Sequence, residues 1–197
     1  MSERKKKLLV VVDYQNDFVT GSLGNPHALA LREGILNKVK EYAQNQDEVW
    51  FTKDTHEVNY LQTLEGTNLP VEHCIRGSWG SEIDSFVLEG LKDLFLDSRN
   101  SAGDRFPFKV IEKGNFPISV RTAAEIHNEC KEEYEDITLC GVVTNICVIS
   151  NAIILRSIFP ETLIYVDASL CASNDPELHN KALDVLESMQ FKVVNRK

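Results

Sequence analysis

Short apolar runs alternate along this chain with longer segments in which apolar residues recur every three or four positions. Leu8–Val12 is the clearest run, since all five of its residues are apolar and three are valine. Such a run is typical of a strand buried on both faces of a parallel sheet. Comparable runs predict five further strands, over residues 48–52, 109–112, 137–140, 162–166 and 191–194.

The segments between these runs predict helices. Leu31, Ile35, Val39 and Tyr42 lie on one helical face, with charged residues between them. Further helices are expected over residues 83–95 (weakened by Gly90), from a capping box at Thr122 and Glu125 to about residue 134, from residue 145 through the apolar segment 146–154, and from an Asp175 cap with Pro176 behind it to about residue 189. This alternation predicts an α/β fold: a single three-layer α/β/α domain, residues 1–197, around a mostly parallel six-stranded sheet.

Composition and charge narrow the function classes. The 197-residue chain has a net charge of −9, and its basic cluster at residues 4–7 is too small for the positive surface of a nucleic-acid binder. We find no apolar segment long enough to span a membrane, and the run at residues 8–12 is too short for a signal peptide. Five scattered cysteines without a CxxC pair indicate a reduced, cytoplasmic protein.

Polar residues that can do chemistry follow four of the predicted strands. Asp13 follows the first strand, Asp54 and His56 the second and Lys113 the third, and Cys147 lies across a turn from the fourth. Each alone has an ordinary explanation, since Asp often forms turns and Lys is usually solvated. Because parallel strands bring their carboxyl ends to one edge of the sheet, we expect these side chains to lie close together.

Cys147 has two interpretations. It stands in the first turn of its predicted helix, where unpaired backbone N–H groups and the positive end of the helix dipole favour a thiolate. The same N–H groups can hold an oxyanion beside the sulfur. A cysteine in an apolar helix is more often a small core residue, so this pattern alone leaves both interpretations open.

A metal site is the second candidate feature. Asp54 and His56 alternate along an extended segment, so both can face the same way. His73 follows within the irregular segment 59–81, a length that favours a functional loop, and Glu65 lies inside that loop. Two imidazoles and one or two carboxylates suit Zn, Mn or Fe. On spacing alone, two loop histidines with unrelated roles stay the alternative.

Five motifs occur in a fixed order along the chain. They are Asp13-x-Gln15-Asn16-Asp17-Phe18, Asp54-x-His56, Pro70-x-x-His73-Cys74, Lys113, and Gly141-Val142-Val143-Thr144-Asn145-x-Cys147-Val148. Together they resemble the isochorismatase-like cysteine hydrolases and, within them, the nicotinamidase branch. The resemblance extends from about residue 8 to the end of the fourth predicted strand's helix, and it implies that family's Rossmann-like hydrolase fold.

The resemblance implies a role for each matching position. Cys147, Asp13 and Lys113 would form a catalytic triad, and the backbone N–H groups of Val143 and Cys147 an oxyanion hole. A cis peptide bond is implied between Val142 and Val143. The implied metal ligands are Asp54, His56, His73 and Glu65, the last matching a carboxylate that only some nicotinamidases have. The implied substrate-pocket residues are Phe18, Phe116, Leu69 and Val142.

The same resemblance implies an activity. It is the hydrolysis of nicotinamide to nicotinate and ammonia through a thioester on Cys147, a reaction of pyridine-nucleotide salvage. One divalent metal ion is implied, with zinc favoured over manganese or iron, and it would bind the pyridine nitrogen of the substrate. The partner is thus a small-molecule amide, with no nucleic acid or membrane, and a homo-oligomer is left open.

One departure from the family pattern keeps other functions open. Nicotinamidases usually carry an aromatic residue shortly before the second metal histidine, where it stacks on the pyridine ring, and this chain has Leu69 there. Trp79, beyond His73, is a candidate replacement. A hydrolase of the same superfamily acting on another small amide, ureido or carbamoyl compound is therefore the alternative. A non-catalytic binding protein of the same fold is the less favoured third reading.

Overall fold

Six parallel strands form one twisted sheet at the centre of the molecule. A computed structural model describes residues 4–94, 108–130 and 134–196. The strands are β1 (Leu8–Val12), β2 (Glu48–Asp54), β3 (Lys109–Lys113), β4 (Asp136–Val142), β5 (Leu163–Ala172) and β6 (Lys192–Val194). Their order across the sheet is β3-β2-β1-β4-β5-β6. Strand order reverses at the neighbouring pair β1 and β4, which is where sheets of this kind bind ligands.

Helices follow the strands along the chain. They are α1 (Asn16–Val19), α2 (Pro26–Leu29), α3 (Arg32–Gln44), α4 (Leu64–Asn68), α5 (Ser85–Gly90), α6 (Val120–Glu129), α7 (Ile149–Ile158) and α8 (Pro176–Ser188). Short 3₁₀ turns cover Tyr60–Gln62 and Trp79–Ser81, and a π-helical turn, Thr144–Val148, leads directly into α7. None of the helices within the described residues is both long and apolar enough to cross a membrane.

Two apolar cores lie on the two faces of the sheet and make the fold three-layered. Leu8, Val10 and Val12 of β1 contribute to the core that also contains residues of α6, α7 and α8. Leu9 and Val11 point to the opposite core, which contains residues of α3 and α5. The strict alternation follows from the two-residue period of a strand. All five residues of β1 are completely buried, which explains the continuous apolar run in the sequence.

The predicted fold class is confirmed, and the differences concern element ends. The sheet is parallel throughout, β2 runs two residues and β5 six residues beyond the predicted ends, and α5 stops at Gly90. The prediction that a capping box at Thr122 starts this helix was wrong. Ser119, in extended conformation, is the N-cap of α6 and accepts from Thr122 N, so that helix begins one turn earlier and ends at Glu129. Residues 95 and 131–133, parts of two predicted helices, lie outside the described residues.

Candidate active site

The carboxyl ends of β1, β2 and β3 bring three charged side chains into one buried cluster. Lys113 Nζ lies 2.7 Å from Asp13 Oδ2 and 3.5 Å from Asp54 Oδ1. The same nitrogen is 3.8 Å from Cys147 Sγ and donates to the backbone carbonyl of Asn115 at 3.0 Å. The sheet therefore brings Asp13, Lys113 and Cys147 together from three distant parts of the chain.

Thr52 holds the Asp13 carboxylate in place. Its hydroxyl donates to Asp13 Oδ1 at 2.6 Å and accepts from the Asp13 backbone N–H at 3.1 Å. Asp13 itself has a left-handed φ of 46°, a conformation that Asp adopts more readily than most residues. With Oδ1 engaged by Thr52, the other oxygen, Oδ2, is the one directed at Lys113 and available to exchange a proton.

The position of Cys147 at the start of a helix alone favours a thiolate, but its surroundings in the cluster have the opposite effect on its pKa. Burial raises the pKa of the Cys147 thiol well above its ordinary value, and the charge of Asp13 raises it further, whereas Lys113 lowers it. Burial also raises the pKa of Asp13, although Lys113 opposes this. Burial alone would lower the pKa of Lys113, but the charges of Asp13, Cys147 and Asp54 raise it. These directions favour a neutral thiol and a charged lysine beside a carboxyl group of increased proton affinity, a combination that suits a general base.

The turn after β4 carries the nucleophile candidate. The peptide bond between Val142 and Val143 is cis, and Val143 O accepts hydrogen bonds from the N–H groups of both Ile146 and Val148, at 3.1 Å each. The second of these bonds spans five residues, which makes this segment a π-helical turn rather than the first turn of an α-helix. Single π-helical turns of this kind occur frequently at functional sites. Cys147 is buried inside this turn.

Four side chains beside the cluster form a candidate metal site. His56 Nε2 lies 2.9 Å from Asp54 Oδ2 and 3.7 Å from Glu65 Oε1. His73 Nε2 lies 3.4 Å from the same aspartate oxygen and 4.0 Å from the same glutamate oxygen. Zinc–ligand bonds of about 2.0–2.2 Å place tetrahedral ligand atoms roughly 3.4 Å apart, so one divalent ion fits among these four atoms.

The charges at this site also suit a cation. Burial would raise the pKa of Asp54, but its hydrogen bonds with His56 and His73 hold the pKa well below the ordinary value. His73 Nδ1 donates to the carbonyl of Val71 at 2.8 Å, which leaves Nε2 for a ligand bond. The aromatic ring of Tyr60 lies against both imidazoles, at 4.5 Å from His56 and 4.9 Å from His73 between ring centroids.

Two residues of the first motif support this site in ways that the sequence did not reveal. Gln15 Nε2 donates to the Asp54 carbonyl and Gln15 Oε1 accepts from the Asp54 N–H, both at 2.8 Å. Asp17 Oδ2 accepts from the N–H of Cys74, the residue after His73, at 2.7 Å. The segment after β1 therefore fixes the backbone beside two of the four candidate ligands.

A cavity of about 270 Å³ opens beside Cys147 and the candidate metal site. Phe18, Leu69 and Phe116, expected in the substrate pocket, line it together with Asp54, Glu65 and His73. Val142 does not line it: that side chain packs in the core on the α3 side, and its neighbour Val143 lines the cavity instead. Trp79 is exposed and donates from Nε1 to Ser85 Oγ, away from the cavity.

One wall of the cavity was missed by sequence reasoning. Its residues are Leu23, Asn145, Ile146, Ser173, Asn174, Asp175 and Leu178. Residues 173–175 directly follow β5, so the same argument from strand ends would have found them had β5 been predicted at its full length. His179, to which the sequence gave no role, binds Thr144 Oγ1 through Nδ1 at 2.8 Å and so supports the π-helical turn that carries Cys147.

Comparison with known proteins points to one family. Residues 7–103 match the family model of the isochorismatase domain. The nicotinamidase of Saccharomyces cerevisiae is 25% identical over 224 residues, covering 96% of this chain and all of that protein. Among solved structures, nicotinamidase PncA from Bacillus subtilis aligns with a TM-score of 0.75 at 24% identity, over 95% of this chain and 98% of that one. The pyrazinamidase of Pyrococcus horikoshii in complex with zinc aligns with a TM-score of 0.74 at 19% identity, over 97% and 99% of the two chains.

Proposed function

We propose that this chain is a hydrolase of the isochorismatase family and that it converts the carboxamide of nicotinamide to nicotinate and ammonia through a thioester on Cys147. The observation that carries this proposal is the buried contact of Lys113 with both Asp13 Oδ2 and Cys147 Sγ. An isolated buried lysine is very costly, and a binding module gains nothing from placing one beside a thiol. The arrangement instead suits covalent catalysis with an activated nucleophile.

The first half-reaction makes the acyl-enzyme. Asp13 accepts the thiol proton of Cys147, and the charge of Lys113 stabilises the resulting thiolate. The sulfur attacks the amide carbonyl carbon, and the carbonyl oxygen takes the negative charge. The backbone N–H groups of Val143 and Cys147 hold this oxyanion, and one such donor typically contributes about 3–4 kcal/mol to catalysis. The intermediate collapses with cleavage of the C–N bond, and Asp13 returns its proton to the nitrogen, which leaves as ammonia.

The second half-reaction releases the acid. Asp13, again unprotonated, accepts a proton from a water molecule that attacks the thioester carbonyl. The C–S bond breaks, the thiolate of Cys147 recovers the proton from Asp13, and the carboxylic acid departs. The same carboxylate is therefore base and acid in turn, which requires a proton affinity above that of a solvated Asp. The raised pKa of Asp13 supports this role.

Asp54, His56, Glu65 and His73 would hold a divalent ion, for which zinc fits the two-imidazole, two-carboxylate donor set. Such an ion would supply a Lewis acid for the ring nitrogen of a pyridine substrate. Asp54 contacts both candidate histidine ligands and Lys113, so the candidate metal site lies directly beside the triad.

The cavity favours a small, flat, largely apolar substrate. Its volume of about 270 Å³ lies below the usual range of roughly 300–1,000 Å³ for drug-sized ligands. Phe18 and Phe116 provide aromatic surface on its walls. The similarity to a yeast nicotinamidase over nearly the full chain supports nicotinamide as the first substrate to test.

Leu69 favours a second candidate. It occupies the cavity wall where an aromatic side chain would stack on the pyridine ring, and leucine gives contact but no stacking. A small amide, ureido or carbamoyl compound without an aromatic ring would lose no binding energy from having leucine in place of an aromatic residue there. The chemistry at Cys147 would be the same.

Ammonia release distinguishes the two candidates. The enzyme is assayed with nicotinamide and with a panel of non-aromatic amides, ureido and carbamoyl compounds, and bound metal is measured on the same sample. We expect the highest kcat/KM for nicotinamide and about one divalent ion per chain. Turnover of a non-aromatic compound without turnover of nicotinamide would favour the second candidate, and no ammonia from any compound would contradict an amidase.

A further inference from the structure

Asn151 is a completely buried polar residue that neither the triad nor the metal site uses. It lies on α7, one turn after Cys147. Its Nδ2 donates to the carbonyls of Cys147 at 2.7 Å and Phe116 at 3.1 Å, and its Oδ1 accepts from the N–H of Ile118 at 2.9 Å. Burying a primary amide is costly unless its groups are paired, and here both ends of the amide are.

These bonds join two parts of the candidate active site. The segment 115–118 begins two residues after Lys113, and its first carbonyl, that of Asn115, accepts from Lys113 Nζ. Its next residue, Phe116, lines the cavity. On the other side, the π-helical turn Thr144–Val148 contributes the carbonyl of Cys147. One side chain thus connects the backbone at the sulfur with the segment that holds the lysine and one cavity wall.

We propose that Asn151 is a positioning residue, which sets the distance between Cys147 and the segment 115–118 that holds Lys113; this rests on the proposed function. Without the bonds to Phe116 O and Ile118 N, the segment loses the hydrogen bonds that Asn151 makes to it from α7. The ammonium of Lys113, which the segment holds through Asn115, then moves relative to the thiol. Misplacement of a reacting group by about 1 Å can reduce catalysis on the order of 100-fold.

The same helix shows why an amide is needed at this position. Ser150 and Ser157 each donate from Oγ to the carbonyl four residues earlier, Ile146 at 2.6 Å and Ile153 at 3.2 Å. A hydroxyl at position 151 would reach the Cys147 carbonyl in the same way. It is too short to reach Phe116 and Ile118 as well. A threonine therefore separates the bond inside the helix from the bonds to the neighbouring segment.

The test compares Asn151→Thr and Asn151→Leu with the wild-type enzyme and a matched control. Tyr42→Phe is the control, because it removes a buried hydrogen bond to Thr138 at the opposite end of β4. Melting temperatures are recorded, and kcat is measured with nicotinamide well below them. We expect both Asn151 variants to lose at least 10-fold in kcat, and Tyr42→Phe to stay within twofold of wild type. A threonine variant with wild-type kcat would overturn the proposal.

A second readout does not depend on the substrate. The rate of Cys147 alkylation by iodoacetamide is followed by tandem mass spectrometry, whose fragment ions distinguish Cys147 from Cys140 on the same peptide. We expect at least a fivefold lower rate in both Asn151 variants, because a displaced Lys113 stabilises the thiolate less, and an unchanged rate in the control. Should wild type release no ammonia, the proposed function fails, and this rate alone decides: a fall supports positioning, and an equal or faster rate overturns it.

Discussion

Lys113 Nζ lies 2.7 Å from Asp13 Oδ2, and both side chains are completely excluded from solvent. Neither charge could be buried alone, since breaking a buried ion pair by removing one partner typically costs about 3–5 kcal/mol. The pair joins the ends of β1 and β3, which are separated in the sheet by β2. It is therefore both a structural link across the sheet edge and the charge balance of the candidate triad.

Single and double substitutions should separate these two roles. Lys113→Met and Asp13→Asn should each abolish turnover, and Lys113→Met should destabilise the protein by about 3–5 kcal/mol because Asp13 stays buried without its partner. The double variant should recover much of that loss while remaining inactive. Urea denaturation measures the free energies of unfolding.

Lys181→Met, which breaks an exposed pair with Glu177 on α8, is the control and should cost less than about 0.5 kcal/mol. A double variant as unstable as the sum of the singles would contradict coupling.

Gln15 should control metal affinity without being a ligand. Gln15→Leu removes both hydrogen bonds to the Asp54 backbone, and loss of such supporting contacts usually weakens metal binding about 10–100-fold. Zinc affinity is measured by competition with a chelating dye. Lys53→Met is the matched control, because Lys53 precedes Asp54 on β2 but pairs with Glu82. Equal affinities in wild type and Gln15→Leu would refute the idea.

The sequence predicted the charged cluster because each of its residues can be located from local sequence alone. Asp13, Asp54 and Lys113 each stand at or directly after the end of a strand, so knowing that the strands are parallel is enough to bring them together. Among the candidate metal ligands, Asp54 and His56 follow from their position at the end of β2, and His73 follows from its motif. Their catalytic and ligand roles stay predictions, as do the oligomeric state and the cytoplasmic location.

What the sequence could not predict depends on long-range geometry. Between Leu139 and Gly141 the register of β4 against β5 shifts. Gly141 has a φ of +116°, and a Cβ there would lie 2.1 Å from Val12 O, so only glycine fits. Val142 nevertheless packs in the same core as Cys140, two positions earlier on β4, as the two-residue period of a strand requires. The resemblance implied a pocket role for Val142, and the strand pattern opposes it. The bonds of Gln15 and Asn151 were likewise invisible, because each joins segments more than 30 residues apart.

Cys147→Ala should abolish hydrolysis and leave the fold intact. Loss of a nucleophile that forms a covalent intermediate removes the route itself, so we expect kcat to fall at least about 1,000-fold. Cys140→Ala is the control: this thiol is equally buried, on β4, but faces the core on the α3 side. It should keep kcat within about threefold of wild type. Circular dichroism verifies the fold of both variants. Substantial turnover by Cys147→Ala would disprove the thioester route.

Stability should fall above pH 9. Burial raises the pKa of Cys74, Cys140, Cys147 and Cys171 above the ordinary 9.0. The unfolded chain therefore releases these protons first, the folded state binds more protons, and the free energy of unfolding decreases as pH rises through 9. Each thiol contributes a slope that approaches about 1.4 kcal/mol per pH unit once the unfolded thiol is ionised. Urea titrations from pH 8 to 10 measure the slope.

Cys171→Ala tests the origin of that slope. It removes one buried thiol away from the triad, so the decrease in unfolding free energy between pH 9 and 10 should become smaller by about 1 kcal/mol. Stability below pH 8 sets the baseline, because there all thiols are protonated in both states. The same slope in wild type and variant would show that other groups cause the alkaline loss.

Leu69→Phe should improve the binding of an aromatic amide selectively. Leu69 lines the cavity and is 37% exposed, so a larger ring can be placed there without disrupting the core. An aromatic pair contributes about 0.5–1.5 kcal/mol beyond area burial, which lowers the KM for nicotinamide roughly 2–10-fold. Acyclic amides should gain no such benefit, and kcat should stay close to wild type because the triad is untouched.

The control for this substitution is Leu61→Phe, because Leu61 is similarly exposed but does not line the cavity. It should leave the KM of both substrate classes unchanged. Improvement of nicotinamide alone would mean that the ring of a bound substrate lies against position 69, and that leucine there limits its affinity. Equal improvement of acyclic amides would instead indicate a general apolar effect, and an unchanged KM would place the ring against Phe18 or Phe116.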